Sequence, residues 1–135
     1  MNIVRRRGTA IVHTPQGILV VAGKRKTFLL PGGGAHLTES RQRAAIRELE
    51  EETGLKTTTC TYLFTYNEPT HGLHGKKKKV RNLHKVFLIT TQGNAEANQK
   101  DEVKYLAYWK PGSHLKISAM TKKIIQHYLD LQVNV

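Results

Sequence analysis

The 135-residue chain has a single cysteine, Cys60, and a single tryptophan, Trp109. One thiol excludes an intramolecular disulfide framework and a zinc site built from cysteines, and it makes a reducing, cytoplasmic setting the expectation. No apolar run approaches the ~18 residues that a membrane span needs, so no membrane role is expected. Met1 to Arg7 is positively charged, but the apolar segment of a signal peptide does not follow it directly. Internal repeats, low-complexity linkers and breaks in composition are also missing. Residues 1–135 therefore read as one domain, long enough to bury roughly two-thirds of the surface of its unfolded chain.

Acidic residues are scarce: 10 Asp+Glu against 22 Lys+Arg, a formal net charge of +12. Half of them, Glu39, Glu48, Glu50, Glu51 and Glu52, fall between Gly33 and Leu55, where three arginines (Arg41, Arg43, Arg47) leave a local net charge of −2. The rest of the chain holds 19 basic against 5 acidic side chains, a net +14. Excess positive charge concentrates polyanions such as phosphates, nucleotides and nucleic acid. A carboxylate cluster instead suits a hard divalent cation. Together they describe a site for a phosphorylated substrate bridged by metal.

Thr9 to His13 and Gly17 to Val21 are short β-branched runs around the turn sequence Thr14-Pro15-Gln16-Gly17, which predicts a β-hairpin. Thr27 to Leu30 predicts another strand, stopped by Pro31-Gly32-Gly33-Gly34. Thr38 is the predicted N-cap of a helix over Glu39 to Thr53 that Gly54 ends. Further strands are predicted at Thr57 to Tyr66, Leu83 to Thr91 and Val103 to Trp109, with an exposed loop from Asn67 to Asn82. Ser118 would cap a last helix whose Ile124, Ile125, Tyr128 and Leu131 fall at helical spacing. Strands mixed with two helices indicate an α/β or α+β sandwich on a mixed sheet.

On the acidic helix, Glu48, Glu51 and Glu52 stand at i, i+3 and i+4 and share a face about 100° wide, while Glu50 points away. Ala45, Ile46, Leu49 and Thr53 form the neighbouring arc that can pack on a sheet. Three glutamates on one face are either a solvated surface or a Mg²⁺ or Mn²⁺ site. The helix alone does not decide between them.

The residues around it carry more information. From Gly33 to Leu55 the chain reads Gly-x5-Glu-x7-Arg-Glu-Leu-x-Glu-Glu-x-Gly-Leu. This stretch resembles the Nudix box at every fixed position: Gly33, Glu39, Arg47, Glu48, Glu51, Glu52 and Gly54, with Leu49 and Leu55 at the aliphatic positions. At residue frequencies near ~6%, seven such matches arise by chance about once in 10⁸ to 10⁹ windows, far more windows than a chain of this length offers. Asp101, Glu102 and Trp109 follow at a spacing usual for small MutT-like members. The resemblance implies an α/β/α sandwich and hydrolysis of a pyrophosphate bond in a nucleoside diphosphate linked to another group. It implies Glu48, Glu51 and Glu52 as ligands of Mg²⁺, joined by the Gly32 carbonyl, with Arg47 orienting them and Glu39 in support. Gly33 would make a tight turn before the helix and Gly54 a left-handed residue after it. The catalytic base would be Glu51 or Glu52, or an acid outside the box, for which Glu102 is the candidate.

Lys76, Lys77, Lys78 and Lys79, with Arg81, read either as a solvated loop or as a lid that binds the phosphates of a long substrate. Lys24-Arg25-Lys26 and Arg5 to Arg7 could extend that field. Pro69 lies 14 residues after the box, near but not at the position associated with ADP-ribose-type substrates. The leading expectation is a MutT-like hydrolase of a nucleoside triphosphate, acting as monomer or homodimer. The alternatives are a hydrolase of longer polyanions (a dinucleoside polyphosphate, an inositol pyrophosphate or a 5′-phosphorylated RNA) and a non-catalytic nucleic-acid-binding module.

Overall fold

In the computed structural model, which describes residues 2–72, 79–97 and 102–133, the first strand β1 spans Asn2–Ile11. Its residues Thr9 to Ile11 do not pair with Gly17 to Val21, and the predicted hairpin forms only at its turn end. The chain changes sheets at Val12, whose carbonyl accepts from Leu19 N–H at 3.0 Å, and the Pro15-Gln16 turn closes only a two-residue ladder between β2 (His13–Thr14) and β3 (Gly17–Ala22). The turn signal is local, whereas β1 gains more by pairing on both sides inside a larger sheet. It lies antiparallel to β4 (Gly32–Gly34) and parallel to β7 (Lys79–Gln92). β7 in turn pairs antiparallel with β5 (Lys56–Asn67) and β6 (His71–Gly72), which gives sheet A the order β4-β1-β7-β5 with β6 beside β7. Sheet B has the order β2-β3-β8, with β8 at Tyr105–Trp109.

Two helices cover the sheets. Helix α1 (Arg41–Thr53) buries Ala45 and Leu49 against Ala10, Leu19, Phe87 and Ile89. Helix α2 (Ala119–Val133) buries Ile124, Ile125 and Tyr128 against Ile11, Ile18, Val20 and Val86. Successive residues of β1 and β3 thus feed opposite cores, as the period of two requires, and β3 is buried on both faces. Each fully buried Leu or Ile contributes roughly 1.5–3 kcal/mol. The result is an α/β/α sandwich on a mixed sheet.

Several boundaries differ from the sequence expectation. The N-cap of α1 is Ser40, whose Oγ accepts from Arg43 N–H at 3.1 Å, and not Thr38. Glu39 is drawn out of the helix because its carboxylate takes the His36 N–H and the Arg47 side chain. At the other end Gly54 has φ 75° and donates to the Glu50 carbonyl at 2.8 Å, the left-handed cap expected. Thr27 to Leu30 makes only isolated bridges, Leu29 to Val21 and Phe28 to Ile117. The glycine run expected to stop it is itself a strand. A Cβ on Gly32 would overlap the Gly8 carbonyl oxygen, so only glycine lets β4 lie this close to β1. The predicted 67–82 loop contains β6 and the start of β7, and residues 73–78 lie outside the described residues. Ser118 Oγ accepts from Thr121 N–H at 3.1 Å at the start of α2, but Leu131 is 42% exposed, beyond the end of that helix's buried stripe. Cys60 is half-buried in β5 and packs against the α1 core, and burial pushes its thiol up.

Sheet A also encloses a polar network. His84, 2% exposed on β7, joins Thr9 Oγ1 at 3.0 Å through Nδ1 and Glu68 Oε1 at 2.8 Å through Nε2, and Asn82 donates to the other Glu68 oxygen. Burial lowers the His84 imidazole below its ordinary range, against the opposing pull of Glu68 and with a smaller push from Arg7. An unfolded chain then binds a proton here more readily than the folded one, so this contribution to stability is complete above pH ~6.5 and is lost as pH falls below it. The thermal unfolding midpoint should drop on acidification from pH 7 to 5, and the drop should shrink in His84→Gln. Parallel pH slopes in the two proteins would show that His84 is not the group responsible.

Candidate active site

Helix α1 crosses β1 at Gly8, which brings its C-terminal half over the β4 glycines. Gly33 is buried there, and a Cβ on it would lie 2.5 Å from Glu48 Cδ. Gly33 lies in strand β4 and not in the tight turn that the box resemblance implied, and a side chain there would displace the Glu48 carboxylate from its present place. One turn further along α1, Glu52 Oε1 accepts the Gly32 N–H at 3.0 Å. The strand and the helix are thus tied together by Glu52, with the Glu48 side chain lying close over Gly33.

Arg47 binds the remainder. Its Nε and Nη2 form a bidentate pair with Glu39, both contacts at 2.9 Å, while Nη2 also reaches the Gly34 carbonyl at 3.0 Å. Nη1 donates to Glu48 Oε1 at 2.8 Å and stands 3.5 Å from Glu51 Oε2. The paired guanidinium, with help from the His36 N–H, holds the Glu39 carboxyl down at about 2. Arg47 itself is pushed above its usual value, chiefly by Glu39. The guanidinium thus offsets part of the repulsion among the helix carboxylates and sets their orientation.

Glu48, Glu51 and Glu52 open into one cavity of about 760 Å³. Across it stand Glu102 and Lys104, just before β8, and Lys24, just after β3. The antiparallel pairing of β3 with β8 brings these two strand ends together. Four carboxylates and two lysines therefore line one space, although they come from three places in the chain. The three helix glutamates are hard oxygen donors on adjacent turns, the ligand type that Mg²⁺ and Mn²⁺ take, and this chemistry fits a divalent cation. As the side chains stand, no three His, Cys, Asp or Glu among the described residues converge on a single point. Arg47 and the Gly32 N–H engage Glu48 and Glu52 instead.

The NUDIX domain model matches residues 4–128, nearly the whole chain. The chain belongs to the Nudix family. A nudix hydrolase family member from Chromobacterium violaceum is 33% identical, with a TM-score of 0.76 over 96% of this chain and 79% of that one. The MutT Nudix hydrolase of Burkholderia pseudomallei, 22% identical, shares the fold with a TM-score of 0.74 over 91% of this chain and 96% of its own. A protein of Methanocaldococcus jannaschii named ADP-ribose pyrophosphatase is 27% identical over 123 residues, 88% of this chain and 69% of that one. The present chain is a Nudix pyrophosphohydrolase, and its cavity is the place to look for that chemistry.

Not every residue singled out in the sequence reaches this cavity of the Nudix protein. Glu48, Glu51, Glu52 and Glu102 line it, with Gly32, Gly33, Arg47 and Glu39 directly beside them. Gly54 caps the helix at its far end. Lys79 and Arg81 do not join the cavity: they start β7 opposite Asn2 and Val4, and Val4 is four residues, about 13 Å of strand, from the Gly8 crossing. Lys76, Lys77 and Lys78 lie outside the described residues. The cationic wall is instead Lys24, in sequence only a flanking charge, and Lys104, which no motif marks. Glu102 and Lys104 stand in the segment that leads into β8, and no local pattern in the sequence places both at the cavity.

Proposed function

We propose that this Nudix hydrolase uses Mg²⁺ to cleave the pyrophosphate linkage of a nucleoside diphosphate joined to another group, with a nucleoside triphosphate as the substrate. The observation that carries this reading is the convergence of Glu48, Glu51, Glu52 and Glu102 with Lys24 and Lys104 on one cavity. A cavity of that size accepts a nucleotide. Carboxylates alone would repel its phosphates.

Glu48, Glu51 and Glu52 would hold the cation, and the Gly32 carbonyl lies in the strand that Glu52 grips. Bound Mg²⁺ offsets the phosphate charge and makes a water easier to ionise. Lys24 and Lys104 bind phosphate oxygens from the opposite wall and hold the linkage in line. Glu102 takes the proton of the attacking water; the water oxygen joins one phosphorus, and the bond from that phosphorus to the bridging oxygen breaks. The negative charge freed on the leaving phosphate remains beside the lysines. Arg47 acts through the glutamates it positions and does not touch the substrate.

The test is phosphate and pyrophosphate release from nucleoside triphosphates, dinucleoside polyphosphates and ADP-ribose, with Mg²⁺ and with EDTA. ADP-ribose belongs in the panel because of the name of the Methanocaldococcus relative. Turnover of a nucleoside triphosphate that EDTA abolishes is expected. Preference for ADP-ribose or a longer polyanion would replace the triphosphate, and undiminished turnover in EDTA would remove the metal.

A further inference from the structure

Helix α1 covers its face of sheet A only from Arg41 onward. Beyond its N-terminus the same face continues across three strands, where Val4, Arg6, Arg81 and Thr65 are exposed among the described residues. Register places Arg81 beside Val4, Leu83 beside Arg6, Lys85 between Gly8 and Thr65, and Tyr62 beside Phe87. Side chains alternate along a strand, so Arg81, Leu83 and Lys85 share the face on which Phe87 packs beneath α1. The contacts agree with this. Lys85 Nζ stands 5.7 Å from the centre of the Tyr62 ring, and Phe87 meets the same ring edge-on at 5.8 Å. The Tyr62 hydroxyl is hydrogen-bonded to Thr65 at 2.8 Å, which fixes the ring although it is 52% exposed.

The charge on this face is of one sign. Arg6 donates to the Glu39 carbonyl at 3.1 Å and Arg41 to the Leu83 carbonyl at 3.3 Å, both backbone acceptors that neutralise nothing. Among the described residues, no ion pair involves Arg6, Arg41, Arg81 or Lys85. Along α1, Arg41 is about 10 Å from the first cavity glutamate, Glu48, and about 16 Å from Glu52, and Arg6, Arg41, Arg81 and Lys85 do not line that cavity, so the face is a second site.

One cation, Lys85, stands at an exposed aromatic ring, and Arg41, Arg6 and Arg81 follow along the same face, Arg81 six residues or about 20 Å of strand from the level of the ring. This is a layout for an extended polyanion that also offers a flat face to stack. A duplex presents phosphates but keeps its bases stacked inside, whereas a single strand presents both. Thr65 and Asn67, exposed at the β5 edge of the same face, are neutral donors and acceptors suited to a ribose 2′-hydroxyl. We propose that this face binds single-stranded RNA, with phosphates on Arg6, Arg81 and Lys85 and a base stacked on Tyr62. Along the chain Arg6, Tyr62 and the Arg81–Lys85 pair are far apart, and no basic-aromatic run betrays them. The interleaving exists only across the sheet.

Fluorescence anisotropy with a labelled RNA 10-mer bearing a 5′-hydroxyl, without Mg²⁺, tests the site apart from hydrolysis. DNA and duplex RNA of the same sequence serve as competitors. Wild-type protein should prefer the single-stranded RNA. Tyr62→Ala should weaken it by about tenfold or more while Tyr62→Phe retains it. Arg81→Ala and Lys85→Ala should each weaken it and flatten the log–log salt dependence by about 0.7. The Tyr62 and Lys85 variants should hydrolyse nucleotide at the wild-type rate, which shows that they are folded. Unaltered RNA binding by Tyr62→Ala, or equal affinity for DNA or duplex, would overturn the assignment to single-stranded RNA. Absence of any salt-sensitive binding would overturn the site itself.

Discussion

Replacing Glu52 by Gln should lower kcat/KM for the best nucleotide substrate at least ~100-fold, which corresponds to about 2.7 kcal/mol of transition-state stabilisation. The substitution is conservative in every respect but charge. The Gln carbonyl oxygen can still accept the Gly32 N–H that Glu52 Oε1 accepts at 3.0 Å, so α1 stays docked on β4. What is lost is one negative charge among the three on the helix face, and with it the affinity for a hard cation. Glu51→Gln should have an effect of the same order, because Glu51 stands on the same face and lines the same cavity. Thermal unfolding midpoints within a degree or two of wild type would separate this loss from misfolding. Full activity in both variants would remove the helix glutamates from the chemistry.

A change that touches no charged group should be equally severe. Gly8→Ala places a methyl group where it overlaps the Arg41 carbonyl oxygen and lies 2.5 Å from the Ala45 amide nitrogen, both backbone atoms of α1. Backbone cannot rotate aside as a side chain can, so the helix must lift off the strand or the strand must bow. Overpacking of this kind costs about 3 kcal/mol, and for a domain of this size that lowers the unfolding midpoint by roughly 10 °C. Because α1 carries Glu48, Glu51 and Glu52, activity should fall with stability. Gly34→Ala is the matched control. Its Cβ would meet nothing within 4 Å, and the substitution should change stability by no more than about 0.5 kcal/mol. Calorimetry on the two variants decides the matter, and equal midpoints would show that the Gly8 crossing is not tight in solution.

The glutamate constellation is legible in the sequence because its geometry is internal to one helix. Spacing of i, i+3 and i+4 determines a shared face wherever the helix sits. The same holds for the Gly54 cap and for the Ser118 start of α2, which depend on neighbours a few residues away. The hairpin expectation holds at the turn, where His13 and Thr14 pair with Ile18 and Gly17, and fails for Thr9 to Ile11 for the converse reason. Thr14 to Gly17 is a sound turn, yet Ala10 and Ile11 are placed by pairing with Phe87 and Leu88, residues far along the chain whose contribution no local pattern carries. Gly8 gives no signal at all, since its role is defined only by the helix that crosses it.

By itself, then, the sequence determined the acidic face of α1, which follows from spacing within one short segment, and through its resemblance to the Nudix box it implied the family and the part played by Arg47. The tertiary structure alone decided that Glu102 and Lys104 meet those glutamates across a cavity with Lys24, and that Arg81 and Lys79 do not. It also decided that Tyr62 and Lys85, from different strands, stand together on one face. The division has a physical cause. A helix writes its own neighbours into the chain at a constant period, whereas the neighbours of a strand are chosen by the order and register in which the sheet assembles.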